Sequence, residues 1–333
     1  MTPQPDVQGD KPDAEPAATA PTSIPVEGPP APLSYVPTPS PQAQPTPSPK
    51  VPSKTPLYEA MNAPRYARQE LIKDIEGDTG TSLLCYISAS PLQIHRTDVV
   101  GMVDLLHNVT PGTPIDLLLH SPGGDIDAAE KLITLIRKRA GSAAVRVIVP
   151  DYAKSAATLL ALGADTIVMS DSSELGAIDP QVDVPDSNGQ ISTLSAQSYL
   201  DAFHLHATRL KEDPDDPVAR LMLDKMQPAT VRKLERITKR SRAIAEDLLK
   251  QAMIKDEGKA TEIANQLSDT KRWHSHGQMI SHETAAGLGL NITYLAPHDA
   301  LWTRLWRLYC LQLWETDGKV KLFEASYASL RIA

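Results

Sequence analysis

IDLLLHSPGGDI, residues 115–126, runs from an apolar stretch of strand length into a turn with two adjacent glycines and on towards a helical pattern. Ile115, Leu117, Leu118 and Leu119 give the near-continuous apolar run of a strand covered on both faces. Ser121, Pro122, Gly123, Gly124 and Asp125 break it. From Asp127 to Ala140 the apolar residues fall at 128, 129, 132, 133, 135 and 136, one face of a helix that Gly141 ends.

The same alternation extends in both directions. Downstream, Val145–Val149 is a second apolar run, residues 156–163 form a helix of small residues, and Thr166–Met169 is a third run. Upstream, residues 60–75 read as a helix, residues 81–88 as a strand, and residues 97–108 as a helix stopped by Pro111, Gly112 and Pro114. Strand, helix, strand, helix at this spacing predicts crossover units and a mostly parallel sheet in an α/β fold. After about residue 190 the pattern is mainly helical to about 266, followed by a strand-and-helix element over Trp273–Tyr294. Residues 297–315 carry Leu301, Trp302, Leu305, Trp306, Leu308, Tyr309 and Leu313, an amphipathic helix expected to dock on the core.

Composition narrows the function. The chain has 333 residues and a formal net charge of −8, and its one basic run, 231–242, fits a solvated helix face, so nucleic acid is not the expected partner. Residues 1–60 hold most of the 29 prolines among Ala, Ser, Thr and Gln and lack apolar periodicity. Such a segment buries too little to offset its ordering entropy and is expected to be a disordered arm, open to a proline-motif partner. No apolar run reaches the ~18 residues of a membrane span, and no signal-peptide pattern is read at the N-terminus. The expected location is the cytoplasm. Cys85 and Cys310 have neither metal nor redox spacing.

Open strand ends in sheets of this kind are where chemistry collects. Gly123 and Gly124 let a backbone approach a ligand closely and free amides at a helix start, where developing negative charge is favoured. Ser155 lies between a strand and a helix opened by Ala156, Ala157 and Thr158, the setting of a nucleophile elbow without the Gly-x-Ser-x-Gly signature. Taken alone, a serine there is more often a helix cap.

Together these turns resemble the Clp protease and signal peptide peptidase A families: residues 115–126 look like the oxyanion loop and DYAKSAATLLALGAD (151–165) like the nucleophile segment. TIVMSDSSELGAIDPQ (166–181) and WHSHGQMISHETAAGLGLNI (273–292) extend the likeness over roughly residues 62–295, and the Asp-Pro-Gln at 179–181 is similar to that of the serine dehydrogenase proteinase group. The resemblance implies a Clp-protease/crotonase-like fold, a repeated ββα superhelix with helical C-terminal additions. Its domains would be the arm (1–60), a serine peptidase domain (61–296) and a C-terminal helix and tail (297–333). It further implies a polypeptide substrate, a homo-oligomer, Ser155 as nucleophile, and the glycine loop Gly123–Gly124 with Ala156 as oxyanion and substrate-binding elements. No metal or organic cofactor is implied.

The base stays open. Clp proteases carry a histidine just beyond the third strand, where this chain has Ala177-Ile-Asp179. Signal peptide peptidase A enzymes use a lysine, for which Lys211 and then Lys225 are placed by sequence distance. A lysine serves as base only if its pKa falls well below about 10.4. Lys154 is expected to leave the turn in another direction. His274 or His276 could bond within the site, and with His282 they lack the spacing of a metal centre. Two further readings share this core: a crotonase-like enzyme binding a thioester carbonyl at the glycine loop, and a non-catalytic scaffold.

Overall fold

The computed structural model describes residues 54–185, 190–273 and 275–333. The proline-rich stretch as far as residue 53 lies outside them. The first half runs α1 (Pro56–Thr79), β1 (Ser82–Ile87), α2 (Asp98–His107), β2 (Ile115–His120), α3 (Ile126–Ala140), β3 (Val145–Ile148), β4 (Tyr152–Ala153), α4 (Ala156–Leu162), β5 (Thr166–Met169) and β6 (Glu174–Leu175). Strands β7 (Gln181–Pro185) and β8 (Ile191–Ser195) lead into α5 (Ala196–Glu212), α6 (Pro217–Asp224), α7 (Pro228–Gln251) and α8 (Glu257–Ser268). The chain closes with α9 (His282–Gly287), β9 (Ile292–Tyr294), α10 (Ala300–Thr316), β10 (Lys321–Ala325) and β11 (Ala328–Ile332).

The main sheet has the order β11-β10-β1-β2-β3-β5-β9, parallel from β1 to β9. Its side chains divide between two cores. Leu84, Tyr86, Leu117, Leu119 and Val147 pack on one face against α2, α3, α4, α7 and α8. Leu83, Cys85, Ile87, Leu118 and Ile148 pack on the other against α1 and α10. Covered on both faces, β1 and β2 need the continuous apolar runs seen in the sequence, and each fully buried Leu or Ile contributes roughly 1.5–3 kcal/mol. Helix α3 is capped by Asp125, whose carboxylate accepts from the amides of Asp127 and Ala128, and it ends on Arg137, Lys138 and Arg139.

The amphipathic helix at 297–315 is α10, docked through Trp302, Leu305, Leu308 and Tyr309. The stretch beyond it, read above as a tail, forms the hairpin β10–β11, which adds antiparallel strands to the sheet beside β1. Buried ion pairs fix that edge: Lys321 Nζ lies 2.7 Å from Asp98 Oδ1, and Arg68 Nε lies 2.9 Å from Glu324 Oε2. Residues 54–333 form one compact unit, and the helix α1 begins inside the stretch read as an arm, with Pro56 in its first turn.

Candidate active site

At the carboxyl ends of β2 and β3 the chain makes two turns that are stitched together. Ser121 N–H donates to the Tyr152 carbonyl at 3.1 Å, and Lys154 N–H donates to the Ser121 carbonyl at 3.0 Å. In the first turn Gly123 has φ +101° and Gly124 has φ +141°, a region L side chains rarely adopt. Ile94 holds the loop from outside: its N–H donates to the Gly123 carbonyl at 2.7 Å, and its carbonyl accepts from Asp125 N–H at 3.0 Å.

In the second turn Ser155 itself takes φ +53°, and its hydroxyl forms no cap bond to α4. A non-glycine residue held there costs of order 1–3 kcal/mol, a strain that clusters at functional positions. Replacing the role of N-cap, the backbone closes the turn by Ala157 N–H to the Lys154 carbonyl at 2.8 Å. The amides of Gly124 and Ala156 have no hydrogen-bond partner among the described residues, and neither has the Ser155 hydroxyl. A half-buried free hydroxyl beside two free amides is an arrangement that can attack a carbonyl and hold the resulting oxyanion.

Asp179 and His276, 97 residues apart in sequence, pair with each other: His276 Nδ1 is 2.8 Å from Asp179 Oδ1, with the carboxylate buried and the imidazole 20% exposed. The segment bearing Asp179 is tied to α4, since Thr158 Oγ1 donates to the Ala153 carbonyl at 2.7 Å and accepts from Gly176 N–H at 3.1 Å. Lys211, in the last turn of α5, and Lys225, just after α6, are exposed and form no side-chain bond or ion pair among the described residues. Lys154 does leave the turn in another direction, to Glu174. His274 lies outside the described residues, and His282 is occupied elsewhere, stacked on Tyr294 and 3.0 Å from Glu283. No cluster of His, Cys, Asp and Glu suited to a metal ion occurs among the described residues. The sequence treats Asp179 and His276 separately; the one signal joining them is that Asp179 stands where Clp proteases carry histidine.

Beneath both turns sits a buried cluster. Tyr309 of α10 donates its hydroxyl to Asp151 Oδ2 at 2.8 Å, so His120 Nδ1–H is the donor in its 3.3 Å contact with the Tyr309 hydroxyl oxygen. Tyr152 covers the His120 ring at a centroid distance of 4.0 Å. Burial lowers the His120 pKa from 6.5 to about 4, so the folded protein keeps this imidazole neutral while the unfolded chain protonates it on acidification. Its contribution is therefore present above pH ~6.5 and is lost as pH falls towards 4, by on the order of 3 kcal/mol. Urea unfolding of wild type and His120→Gln across that range should show the wild-type advantage shrinking; a constant difference would contradict the buried neutral form.

Fold and turns together define an α/β protein of the Clp type. The family model for ClpP-like SDH-type serine proteinases matches residues 102–324, and the chain belongs to that family. It is 28% identical over 234 residues to the uncharacterized protein MJ1495 of Methanocaldococcus jannaschii, covering 67% of this chain and 71% of that one. With MJ0137 of the same organism it shares 48% identity over 69 residues, spanning 21% of this chain and only 23% of that protein. Among solved structures it is similar to the 1510-N membrane-bound stomatin-specific protease (18% identity, TM-score 0.38, covering 62% of this chain and 76% of that one). It is also similar to ClpP1 from Listeria monocytogenes (15% identity, TM-score 0.36, 69% and 97%).

Proposed function

We propose that this chain hydrolyses peptide bonds through an acyl-enzyme on Ser155, with His276 as general base, Asp179 as its orienter, and the amides of Gly124 and Ala156 as the oxyanion hole. The observation that carries the reading is Ser155 itself, held at φ +53° with a free hydroxyl, on a turn packed against the Gly123 position. Ser155 Oγ adds to the substrate carbonyl as His276 Nε2 takes its proton; the imidazolium then protonates the leaving amine. Water, deprotonated by the same nitrogen, releases the acyl group and restores the serine. Asp179 accepts from His276 Nδ1–H and so fixes the tautomer that leaves Nε2 basic.

His276 is preferred to Lys211 and Lys225 because both lysines lie exposed on helical surface, away from the burial or neighbouring positive charge that makes a lysine a base. The reaction needs neither metal nor organic cofactor, and its substrate class is polypeptide. A homo-oligomer belongs to the same proposal: Leu205, Val218, Leu221 and Met222 leave apolar surface exposed on α5 and α6.

Fluorophosphonate labelling read by intact mass tests the reading. Wild type should gain a single adduct that Ser155→Ala does not. A folded wild type that takes no adduct, or an adduct that persists in Ser155→Ala, would remove Ser155 from the role.

A further inference from the structure

Lys154, the neighbour of Ser155, carries an ammonium that reaches two separate segments. Its Nζ lies 3.0 Å from Glu174 Oε2 and donates to the carbonyl of Leu175 at 3.1 Å, both in β6. It also lies 3.4 Å from the carbonyls of Gly277 and of Gln278, the two residues after His276. The side chain is only 13% exposed. An ammonium has three donors and no acceptor, so carbonyls and a carboxylate converging on it form a site built for that charge.

The path of the stem is also prepared. A Cβ on Gly176 would lie 2.6 Å from Lys154 Cδ and 3.3 Å from its Cα, so the aliphatic chain passes against the Gly176 backbone where no side chain fits. Around it runs a small ladder: β4 pairs with β6, and Leu175 exchanges backbone hydrogen bonds with Ile280 at 3.0 and 3.1 Å. Within the turn that carries His276, Ser275, Gly277 and Met279 are exposed, and Gln278 N–H donates to the Ser275 carbonyl at 2.9 Å.

We propose that Lys154 is a positioning residue, whose ammonium tethers the His276 turn to the strand-and-turn segment that bears Ser155. This rests on the reading of Ser155 and His276 as nucleophile and base. The tether acts through geometry: Lys154 shares its backbone with the strained serine, and its head group grips the peptide units directly after the base. A misplacement of about 1 Å in such a pair can cost ~100-fold in rate.

The test is the inactivation of full-length protein by a fluorophosphonate, resolved into the maximal rate kinact and the half-saturation constant KI. Lys154→Met should lower kinact by about 30-fold and leave KI within about twofold, with a cooperative thermal transition retained. Lys154→Arg, which keeps charge and donors, should recover most of the rate. Gly176→Ala, which crowds the stem and keeps the charge, should slow kinact in the same way and serves if Lys154→Met does not fold. Wild-type kinact in a folded Lys154→Met or Gly176→Ala overturns the tether, as does a Lys154→Arg as slow as Lys154→Met. His276→Gln run in parallel separates the two levels. If it reacts like wild type, the assignment of the base falls and the tether with it; if it is slow while Lys154→Met is normal, the tether alone falls.

Discussion

Replacing His276 by glutamine is expected to lower the maximal rate of peptide hydrolysis by about 10⁴-fold, close to 5.5 kcal/mol of transition-state stabilisation. Glutamine keeps a polar side chain near Asp179 and has no nitrogen that can take the serine proton. Asp179→Asn is expected to reach a similar loss by another route. An asparagine amide can present its N–H to His276 Nδ1, which then loses its proton to the opposite nitrogen, and Nε2 is no longer free to act. Both losses should appear in kcat with KM little changed, since neither group is placed to bind substrate in the ground state. Lys211→Met and Lys225→Met are the controls. Both lysines are exposed on helical surface, and each variant should hydrolyse peptide within about twofold of wild type. Steady-state rates on one fluorogenic peptide across the four variants settle the base: a dead Lys211→Met beside an active His276→Gln would transfer the role to the lysine.

The parts of the molecule that sequence reading reaches are those where burial imposes a pattern. β1, β2, β3 and β5 are buried on both faces, so they read as apolar runs, and the glycines and prolines between them mark the turns. The turn at Ser155 stands out in the sequence for a related reason: the helix after it is wholly buried from Ala156 to Leu162, so a polar residue at its entrance breaks the apolar run. The hairpin β10–β11 was not reachable, because Lys321 and Glu324 interrupt its apolar pattern. Their partners, Asp98 and Arg68, lie 223 and 256 residues away. A charged residue in a short strand reads as surface until its counter-ion is known. The same limit hid the pairing of Asp179 with His276. Each sits in an irregular segment without periodicity, and the two segments are joined by a long-range bridge in which Leu175 and Ile280 exchange hydrogen bonds.

Gly123→Ala should nearly silence the serine without touching any side chain that takes part in chemistry. A Cβ at this position would lie 2.6 Å from the Lys154 carbonyl oxygen, 2.7 Å from Ser155 Cβ and 3.1 Å from the Ala156 amide nitrogen. Two of these are backbone atoms of the nucleophile turn, and the third is fixed to it, so nothing there can swing aside as a flexible side chain could. The loop must retreat from Ser155, carrying the Gly124 amide away from that of Ala156. One well-placed oxyanion donor is worth roughly 2.7–4 kcal/mol, so inactivation by a fluorophosphonate should slow by about 10²–10³-fold. Part of the damage would be conformational, because alanine at φ +101° is strained whatever the space around it. Gly112→Ala isolates that part. Gly112 has φ +83° with open space where a Cβ would go, so its variant should lose about 1 kcal/mol of stability and react at the wild-type rate. A Gly123→Ala protein that reacts as fast as Gly112→Ala would mean that the close approach of the two turns is a packing feature and does not build the oxyanion hole.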